Sequence, residues 1–273
     1  MTIFRYTASA DTTITNAFEP NLRLRATGSN MGYADSLEIF SIYGQESGSN
    51  GRSQELSRTL IEFPISEIVA NRAAGTLPAS GSVSFYLRMF NARHPFTLPQ
   101  GFTLVLEPVS GSWTEGTGLD MDEYKDLGQS NWGMRTSAAA WTRKGGDYYT
   151  SSALITNVSF PLGLEDINQD ISHLVEEWVK YTSSNASLTG VTKNYGLGVH
   201  LTSSEEAYFS SSAGAGKLPL NPAADSGSVL QNPGGASQSY YTKKFFSRST
   251  EFFFKRPVIE ARWNSATKDD RQN

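Results

Sequence analysis

A stretch of acidic residues lies between two tryptophans at residues 113–132, WTEGTGLDMDEYKDLGQSNW. Carboxylates and backbone carbonyls are the oxygen ligands that Ca²⁺ prefers, so one interpretation is a structural calcium ion. The stretch lacks the glycine and glutamate offsets of an EF-hand, which leaves a solvated acidic loop as the alternative. The side chains that would hold the ion are Asp120, Asp122, Glu123 and Asp126.

The same stretch contains carboxylates that could act in pairs on a glycosidic bond. That chemistry needs two carboxyl groups about 5 to 9.5 Å apart across a groove. On a folded loop, Glu115 with Asp120 or Asp122 would meet the requirement. No feature of the sequence sets these side chains apart from those of an ordinary acidic loop, so a glycosidase is not favoured.

Nucleophilic catalysis has little support. The chain has no cysteine and no G-x-S-x-G motif, and its histidines are His94, His173 and His200. No second histidine stands at helical spacing from His173, and no spacing marks a Ser-His-Asp arrangement. We therefore predict a protein that is not an enzyme and has no cofactor other than the calcium ion considered above.

Three tryptophans, Trp113, Trp132 and Trp141, accompany the acidic stretch. If their rings were exposed together, they would form a platform for a sugar. If they were buried, they would plug the space beneath the loop, with the indole N–H bonded to backbone. The neighbouring glycine turns favour plugs, and the exposed arrangement is the site expected of a glycan-binding alternative.

Hydrophobic alternation with period two runs through most of the chain and predicts half-buried β-strands. The runs include residues 37–43, 61–65, 83–89, 102–107 and 195–201, with turn-forming residues between them. Residues 170–181 instead repeat apolar residues at helical spacing, with Asp170 as N-cap. The predicted fold class is therefore all-β, a jelly-roll β-sandwich with one short helix and long ordered loops.

The charge of the chain is unevenly distributed. The net charge is −4, but residues 243–273 carry eight basic and four acidic side chains. A basic strip on an acidic body suits docking to another protein, and it is too weakly positive to predict nucleic-acid binding. No apolar run approaches the about 18 residues of a membrane span, so we predict no membrane partner.

Within this strip, a run of phenylalanines is the predicted protein–protein interface. Alternation predicts a strand with Phe253 on one face and its two neighbours on the other, so the run either buries both faces or exposes one. Because Pro257 cannot donate to a ladder, the strand would lie at an edge or carry a bulge. The interface residues are Phe252, Phe253, Phe254, Lys255, Arg256 and Arg262.

A single domain over residues 1–263 accounts for these elements, with residues 264–273 as a polar C-terminal tail. Residues 210–239 form a long Gly-, Ser-, Ala- and Pro-rich insertion without periodicity. We expect neighbouring subunits to order this insertion and the termini. A homo-oligomer, or a multi-copy arrangement in a larger particle, is therefore predicted.

Several short motifs occur in a recognisable order along residues 9–202. They are ADTTI (10–14), NMGYADSLEI (30–39), SRTLIEFPISEI (57–68), WTEGTG (113–118), WTRKGGDYY (141–149) and NYGLGVHL (194–201). Their order resembles the DNRLRE-type β-sandwich, a jelly-roll module related to carbohydrate-binding modules. The tail FFFKRPVIEARW resembles structural proteins of tailed marine bacteriophages, cyanophages especially, whereas the insertion at 210–239 has no counterpart in the generic module.

The resemblance implies a non-enzymatic virion component of the capsid, neck or tail, made in the host cytoplasm. Its partners would be other virion proteins, reached through the phenylalanine interface. The alternative is a carbohydrate-binding module that attaches to host-surface glycans through exposed tryptophans.

Overall fold

The computed structural model describes residues 1–21, 24–43, 54–93, 99–183, 192–206 and 239–265. Within these ranges, the chain forms two antiparallel β-sheets, two α-helices and a 3₁₀ turn, which confirms the all-β class. The strands are β1 (Thr2–Thr7), β2 (Ala10–Thr15), β3 (Ser36–Tyr43), β4 (Gln54–Glu62), β5 (Ser84–Met89), β6 (Phe102–Pro108), β7 (Thr156–Phe160), β8 (Ile167–Asp170), β9 (Leu197–Leu201), β10 (Tyr240–Phe246) and β11 (Val258–Trp263). The helices are α1 (Ile65–Ala73) and α2 (Ser172–Ser183), and the 3₁₀ turn is Phe253–Lys255.

The two sheets stack as a jelly-roll-like sandwich. The first has the strand order β1-β11-β5-β8, and the second, larger sheet has the order β10-β3-β4-β9-β6-β7, with β2 also paired to β4. Alternate residues of each strand face the space between the sheets, as the period-two pattern predicts. Phe85 and Leu87 of β5 meet Leu104 of β6 and Val199 of β9 in one continuous core.

The predicted helix is confirmed, and a second one was missed. In α2, Leu174, Val175, Trp178 and Val179 are buried, and the Asp170 carboxylate accepts the Ser172 N–H at 2.8 Å. The alternation through Ile65 predicts strand, but β4 ends at Glu62 and α1 begins three residues later. Pro64 explains the change, because it has no N–H to continue a ladder and is tolerated at the start of a helix.

The strand predicted through the phenylalanine run is also wrong. Residues 253–255 form the 3₁₀ turn, and β11 begins only at Val258, directly after Pro257. From Val258 onward, β11 pairs with β1 on one side and β5 on the other. Because Pro257 cannot donate to either neighbour, the ladder cannot extend backward into the phenylalanines.

A second hydrophobic cluster covers the outer face of the larger sheet. Leu56 and Leu60 of β4 point away from the main core and pack under the long loop that joins β6 to β7. Both faces of this sheet are therefore buried along β4, which explains why its polar residues are buried as well. The predicted insertion at 210–239 and the tail at 264–273 lie outside the described residues, except for Ser239, Asn264 and Ser265.

Candidate functional site

The tryptophans of the long loop fill the space between the loop and the larger sheet and do not form an exposed platform for a sugar. Trp113, Trp132 and Trp141 are all buried and pack on Ile14, Leu56 and Leu60 in the outer cluster. The Trp113 indole N–H donates to the Tyr195 carbonyl at 2.8 Å, and that of Trp141 donates to the Asn131 carbonyl at 3.0 Å. None of the three offers an open ring face to a sugar, so the predicted glycan site at these residues is wrong.

Glycines allow this close packing of the loop. A Cβ on Gly145, whose φ is +86°, would lie 2.7 Å from Cη2 of Trp132. A Cβ on Gly198 of β9 would lie 2.2 Å from Cε1 of Tyr148, so the ring rests directly on the sheet. Because these contacts leave no room for a side chain, the loop is held in one position on the sheet.

The carboxylates predicted to bind calcium serve the loop's own backbone instead. Asp126 accepts the N–H groups of Leu119 and Asp120 at 2.7 and 3.0 Å, and Asp120 accepts three further N–H groups, those of Asp122, Glu123 and Lys125. The bond from Lys125 lowers the pKa of Asp120, so this carboxylate stays charged. The four side chains Asp120, Asp122, Glu123 and Asp126 are not gathered around one point, and no metal-binding group of three occurs among the described residues.

Glu115, the carboxylate considered for the disfavoured glycosidase, is engaged in a half-buried ion pair. Arg248 donates to its two oxygens at 3.0 and 2.6 Å, and Glu115 also accepts the Asp11 N–H at 2.8 Å. Asp11 lies beside this pair, and its burial raises the pKa of its carboxyl to about 7. The Glu115 carboxylate therefore connects the long loop between β6 and β7 to β2 and to the turn after β10, which is a structural role.

A polar groove with a volume of about 810 Å³ lies beside the outer cluster. Three neighbouring strands form its floor: Arg58 comes from β4, His200 from β9 and Glu107 from β6. Glu107 and His200 alternate with core residues of their strands, and Arg58 shares its face of β4 with Leu56 and Leu60, which places all three on the outer face. The groove is therefore lined by polar side chains on the part of the outer face that the loop between β6 and β7 does not cover.

A buried, bidentate ion pair lies at the floor of the groove. Arg58 donates to the two carboxylate oxygens of Glu206 at 2.9 and 2.7 Å, and its remaining terminal nitrogen donates to the Gly145 carbonyl at 3.0 Å. The side chains of Arg58 and Glu206 are 10% and 8% exposed. The pair joins β4 to the residues after β9 and to the loop, so it fixes the floor and does not offer a free charge.

A histidine and a carboxylate lie within hydrogen-bonding distance of each other next to that pair. His200 Nδ1 lies 2.7 Å from the Leu201 carbonyl, and His200 Nε2 lies 3.2 Å from a Glu107 oxygen. A carbonyl can only accept, so Nδ1 carries a hydrogen. The ring of Tyr148 lies over His200 at 5.3 Å, and burial raises the Tyr148 pKa to about 12.

The rim of the groove is rich in hydroxyls and in cations. Arg135 donates to Ser112, whereas the side chains of Arg143 and Lys144 form no hydrogen bond or ion pair within the described ranges. Tyr195 adds a half-buried ring. This combination suits a ligand with several hydroxyls and an anionic group. The hydroxyl residues of the lining are Ser110, Ser112, Thr142, Thr150 and Ser203.

The phenylalanine run forms a second candidate surface, at the 3₁₀ turn. Phe252, Phe253 and Phe254 are 48%, 61% and 81% exposed. Lys255 lies over the Phe252 ring at 5.0 Å, and Arg256 lies over the Phe253 ring at 5.3 Å. We call these five residues the Phe knob.

The knob is held in place by the segment before it. Arg256 donates twice to the Thr250 carbonyl, at 3.2 and 3.0 Å, which closes the turn. The Phe252 ring packs edge-on against Phe246 of β10 at 5.5 Å. Because its backbone and one ring are fixed, the knob presents its exposed rings without needing to be ordered first.

Arg262, the sixth predicted interface residue, does not join the knob. It lies six residues further along, within β11, which separates it from Arg256 by about 20 Å of extended chain. Its guanidinium stacks on Tyr86 at 4.0 Å and donates to Glu260 and Asn168. The structure therefore brings together five of the six residues and assigns the sixth to the outer face of the first sheet.

Among the described residues, the predicted basic strip is partly neutralised inside the molecule. Lys244 pairs with Glu38 at 2.8 Å, and Arg248 is bound to Glu115. Lys243 is buried, and its amine donates to Asn91 and to two backbone carbonyls. That burial lowers the Lys243 pKa to about 8. The cations left at the described surface of this strip are therefore mainly those of the knob.

Sequence patterns alone missed the groove. Arg58, Glu107 and His200 each stand out as a charged or polar residue within an apolar alternation, and that signal was visible.

No helix in the described ranges is both long and apolar enough to cross a membrane. No family model matches the chain, and no curated protein is significantly similar to it.

Proposed function

We propose that this protein is a non-enzymatic structural component of a tailed-phage virion, and that it docks on other virion proteins through the Phe knob. The observation that carries the proposal is the exposure of three consecutive phenylalanines on a turn whose backbone is fixed. A soluble chain seldom leaves such a group uncovered, because exposed aromatic surface favours association. The sandwich would be the scaffold, and the knob its point of attachment.

The use of the carboxylates also supports a structural role. Glu115 is bound by Arg248, and Asp120 and Asp126 bind backbone N–H groups, so the acidic stretch stabilises a loop. In the groove, Arg58 and Glu206 satisfy each other. These side chains have partners that a catalytic acid or base would have to give up.

Exchanging one ring of the knob tests the docking role. Replacing Phe253 with Asp in the producing phage should reduce the copies of this protein per particle at least tenfold, because a charge would have to enter an apolar contact. The measurement is quantitative mass spectrometry of purified particles. Phe253 belongs to neither hydrophobic cluster of the described residues, so circular dichroism of the isolated variant should match that of the unmodified chain.

A matched control separates the knob from general surface hydrophobicity. Leu164→Asp changes another exposed apolar residue, in the turn before β8, and should leave incorporation unchanged. Normal incorporation of the Phe253→Asp variant would refute docking through the knob.

A second candidate function is glycan binding, and the polar groove is the observation that favours it. Its lining of hydroxyls, the half-buried Tyr195 ring and the cations Arg143 and Lys144, whose side chains have no partner among the described residues, match a saccharide that carries an anionic group. This hypothesis moves the glycan site from the tryptophans to the neighbouring groove.

Glycan-array binding and titration calorimetry test this second function. Arg143→Ala and Lys144→Ala should each weaken binding of an acidic oligosaccharide several-fold, whereas Phe253→Asp should not change it. If no acidic glycan binds, or if binding survives the exchange of both cations, the groove has another role.

A further inference from the structure

The described surface contains an acidic loop whose chemistry is complementary to that of the Phe knob. We define the acidic loop as residues 119–127, LDMDEYKDL, which carry four carboxylates and one lysine. Leu119 and Leu127, at its two ends, are largely exposed. The loop therefore presents apolar side chains beside a net negative charge, whereas the knob presents aromatic rings beside two cations.

We propose that the protein pairs with a second copy of itself, with the Phe knob of each copy packed against the acidic loop of the other. This inference rests on the proposed docking role of the knob and names the first partner of that surface. The leucines supply an apolar contact for the rings, and the carboxylates face Lys255 and Arg256. Matching apolar and charged groups in this way favours one partner over others.

The position of the two surfaces allows a two-fold contact. Ser36 of β3 and Phe246 of β10 are directly opposite in the ladder. The Ser36 hydroxyl contacts the Met121 sulfur of the acidic loop at 3.7 Å, and the Phe246 ring contacts Phe252 of the knob. Because both surfaces adjoin one rung, a two-fold axis near that rung brings each knob onto the opposite loop. Such an interface repeats the same contact twice.

The exposed aromatic area fits an interface of this kind. With about 200 Å² for each phenylalanine ring, the three exposed fractions leave roughly 400 Å² uncovered. A stable interface takes about 800 Å² from each partner, so the knob supplies about half and the adjoining acidic loop can supply more.

Both surfaces are also rigid before they meet. Arg256 fixes the knob, while Asp120 and Asp126 fix the acidic loop through backbone N–H groups. Little conformational entropy is then lost on pairing. The acidic loop, which the sequence offered as an ion site, becomes the counterpart of the knob.

Charge reversal in two separate chains gives a sharp test. Lys255→Glu and Asp122→Lys each place like charges opposite one another in a homodimer, so each variant should raise the dimer dissociation constant at least tenfold. Mixed together, the two variants should form a heterodimer, because one of its contacts is unchanged and the other has both charges reversed. Sedimentation velocity over a wide range of concentration measures each state, and added salt should weaken the unmodified dimer.

Lys180→Glu is the control, because Lys180 is an exposed lysine of α2 away from both surfaces, and it should leave the dimer intact. A chain that remains monomeric at every concentration overturns the inference, and so does a dimer that neither charge reversal weakens. If Phe253→Asp then still blocks incorporation into particles, self-pairing fails while docking on other virion proteins stands. If Phe253→Asp abolishes the dimer but not incorporation, docking on other virion proteins fails and pairing stands.

Discussion

Loss of one member of the Arg58–Glu206 pair should be far more destabilising than loss of both. In Glu206→Gln, one carboxylate oxygen becomes an NH₂ group that faces a guanidinium donor, and the Arg58 charge keeps no anionic partner. With the two side chains only 10% and 8% exposed, water cannot replace the lost partner. Breaking a buried pair in this way costs about 3 to 5 kcal/mol of the free energy of unfolding.

That cost is large against the total stability of a domain, about 5 to 15 kcal/mol. At about 2 to 4 °C per kcal/mol, the melting temperature should fall by roughly 10 °C. Urea unfolding followed by tryptophan fluorescence and circular dichroism measures the same loss as a lower midpoint at constant slope. The double variant Arg58→Met/Glu206→Leu removes both charges, and the Gly145 carbonyl keeps the Tyr148 hydroxyl as a donor at 2.9 Å. It should therefore lie within about 2 kcal/mol of the unmodified chain.

The exposed pair of Glu177 and Lys180 provides the control. Glu177→Gln removes an ion pair whose lysine is 63% exposed, and it should cost less than about 0.5 kcal/mol. If Glu206→Gln destabilised the chain no more than Glu177→Gln does, this would refute the prediction that the buried pair stabilises the groove floor.

Three further predictions concern the loop and its supports. Gly198→Ala should destabilise the chain by about 1 to 3 kcal/mol because the new methyl group displaces Tyr148, whereas Gly111→Ala, with no close neighbour, should change the urea midpoint little. For Asp11, the folded-state pKa of about 7 exceeds the ordinary value of 3.8, so its stabilising contribution is complete below pH 3.8 and is lost as the pH rises through 7. Asp11→Asn should therefore gain stability relative to the unmodified chain between pH 4 and pH 8, by up to about 4 kcal/mol, and equal differences at both pH values would contradict this. Finally, acrylamide should quench the tryptophan fluorescence of the native chain several-fold less than that of the urea-unfolded chain. The reason is that four indoles are buried, those of Trp113, Trp132, Trp141 and Trp178. Nearly equal quenching of the two states would indicate an exposed ring platform and contradict this prediction.

Local patterns predicted the elements with a long, unambiguous period. The α2 helix buries four apolar residues on one face, and the alternation in β5, β6 and β9 runs over their full lengths. The α1 helix has only Ile65 and Ile68 buried, and the apolar alternation of β4 continues into it. A two-turn helix leaves too short a pattern to overrule the strand that precedes it, and Pro64 was the available signal.

Of the two candidate surfaces, the Phe knob was predicted from the sequence and the groove was not, because local patterns reveal only features that lie close together along the chain. The knob was found because three consecutive phenylalanines are conspicuous in the sequence, although the strand assigned to them was wrong. The groove depends on the register that places Arg58 next to His200 and His200 next to Glu107. Those strands are separated by up to 142 positions, and the alternation within each strand carries no information about its partner.

The long loop between β6 and β7 links the two candidate surfaces physically. One end of it, residues 142–148, forms a wall of the groove, and the other, residues 119–127, is the acidic loop proposed to receive the knob. Its tryptophans anchor both ends to the same face of the larger sheet. Disturbing the anchors should therefore impair glycan binding and self-pairing together, whereas exchanging Arg143 or Lys255 should impair only one of them. Such a separation is expected only if the loop acts as a fixed scaffold and the functions belong to the side chains at its surface.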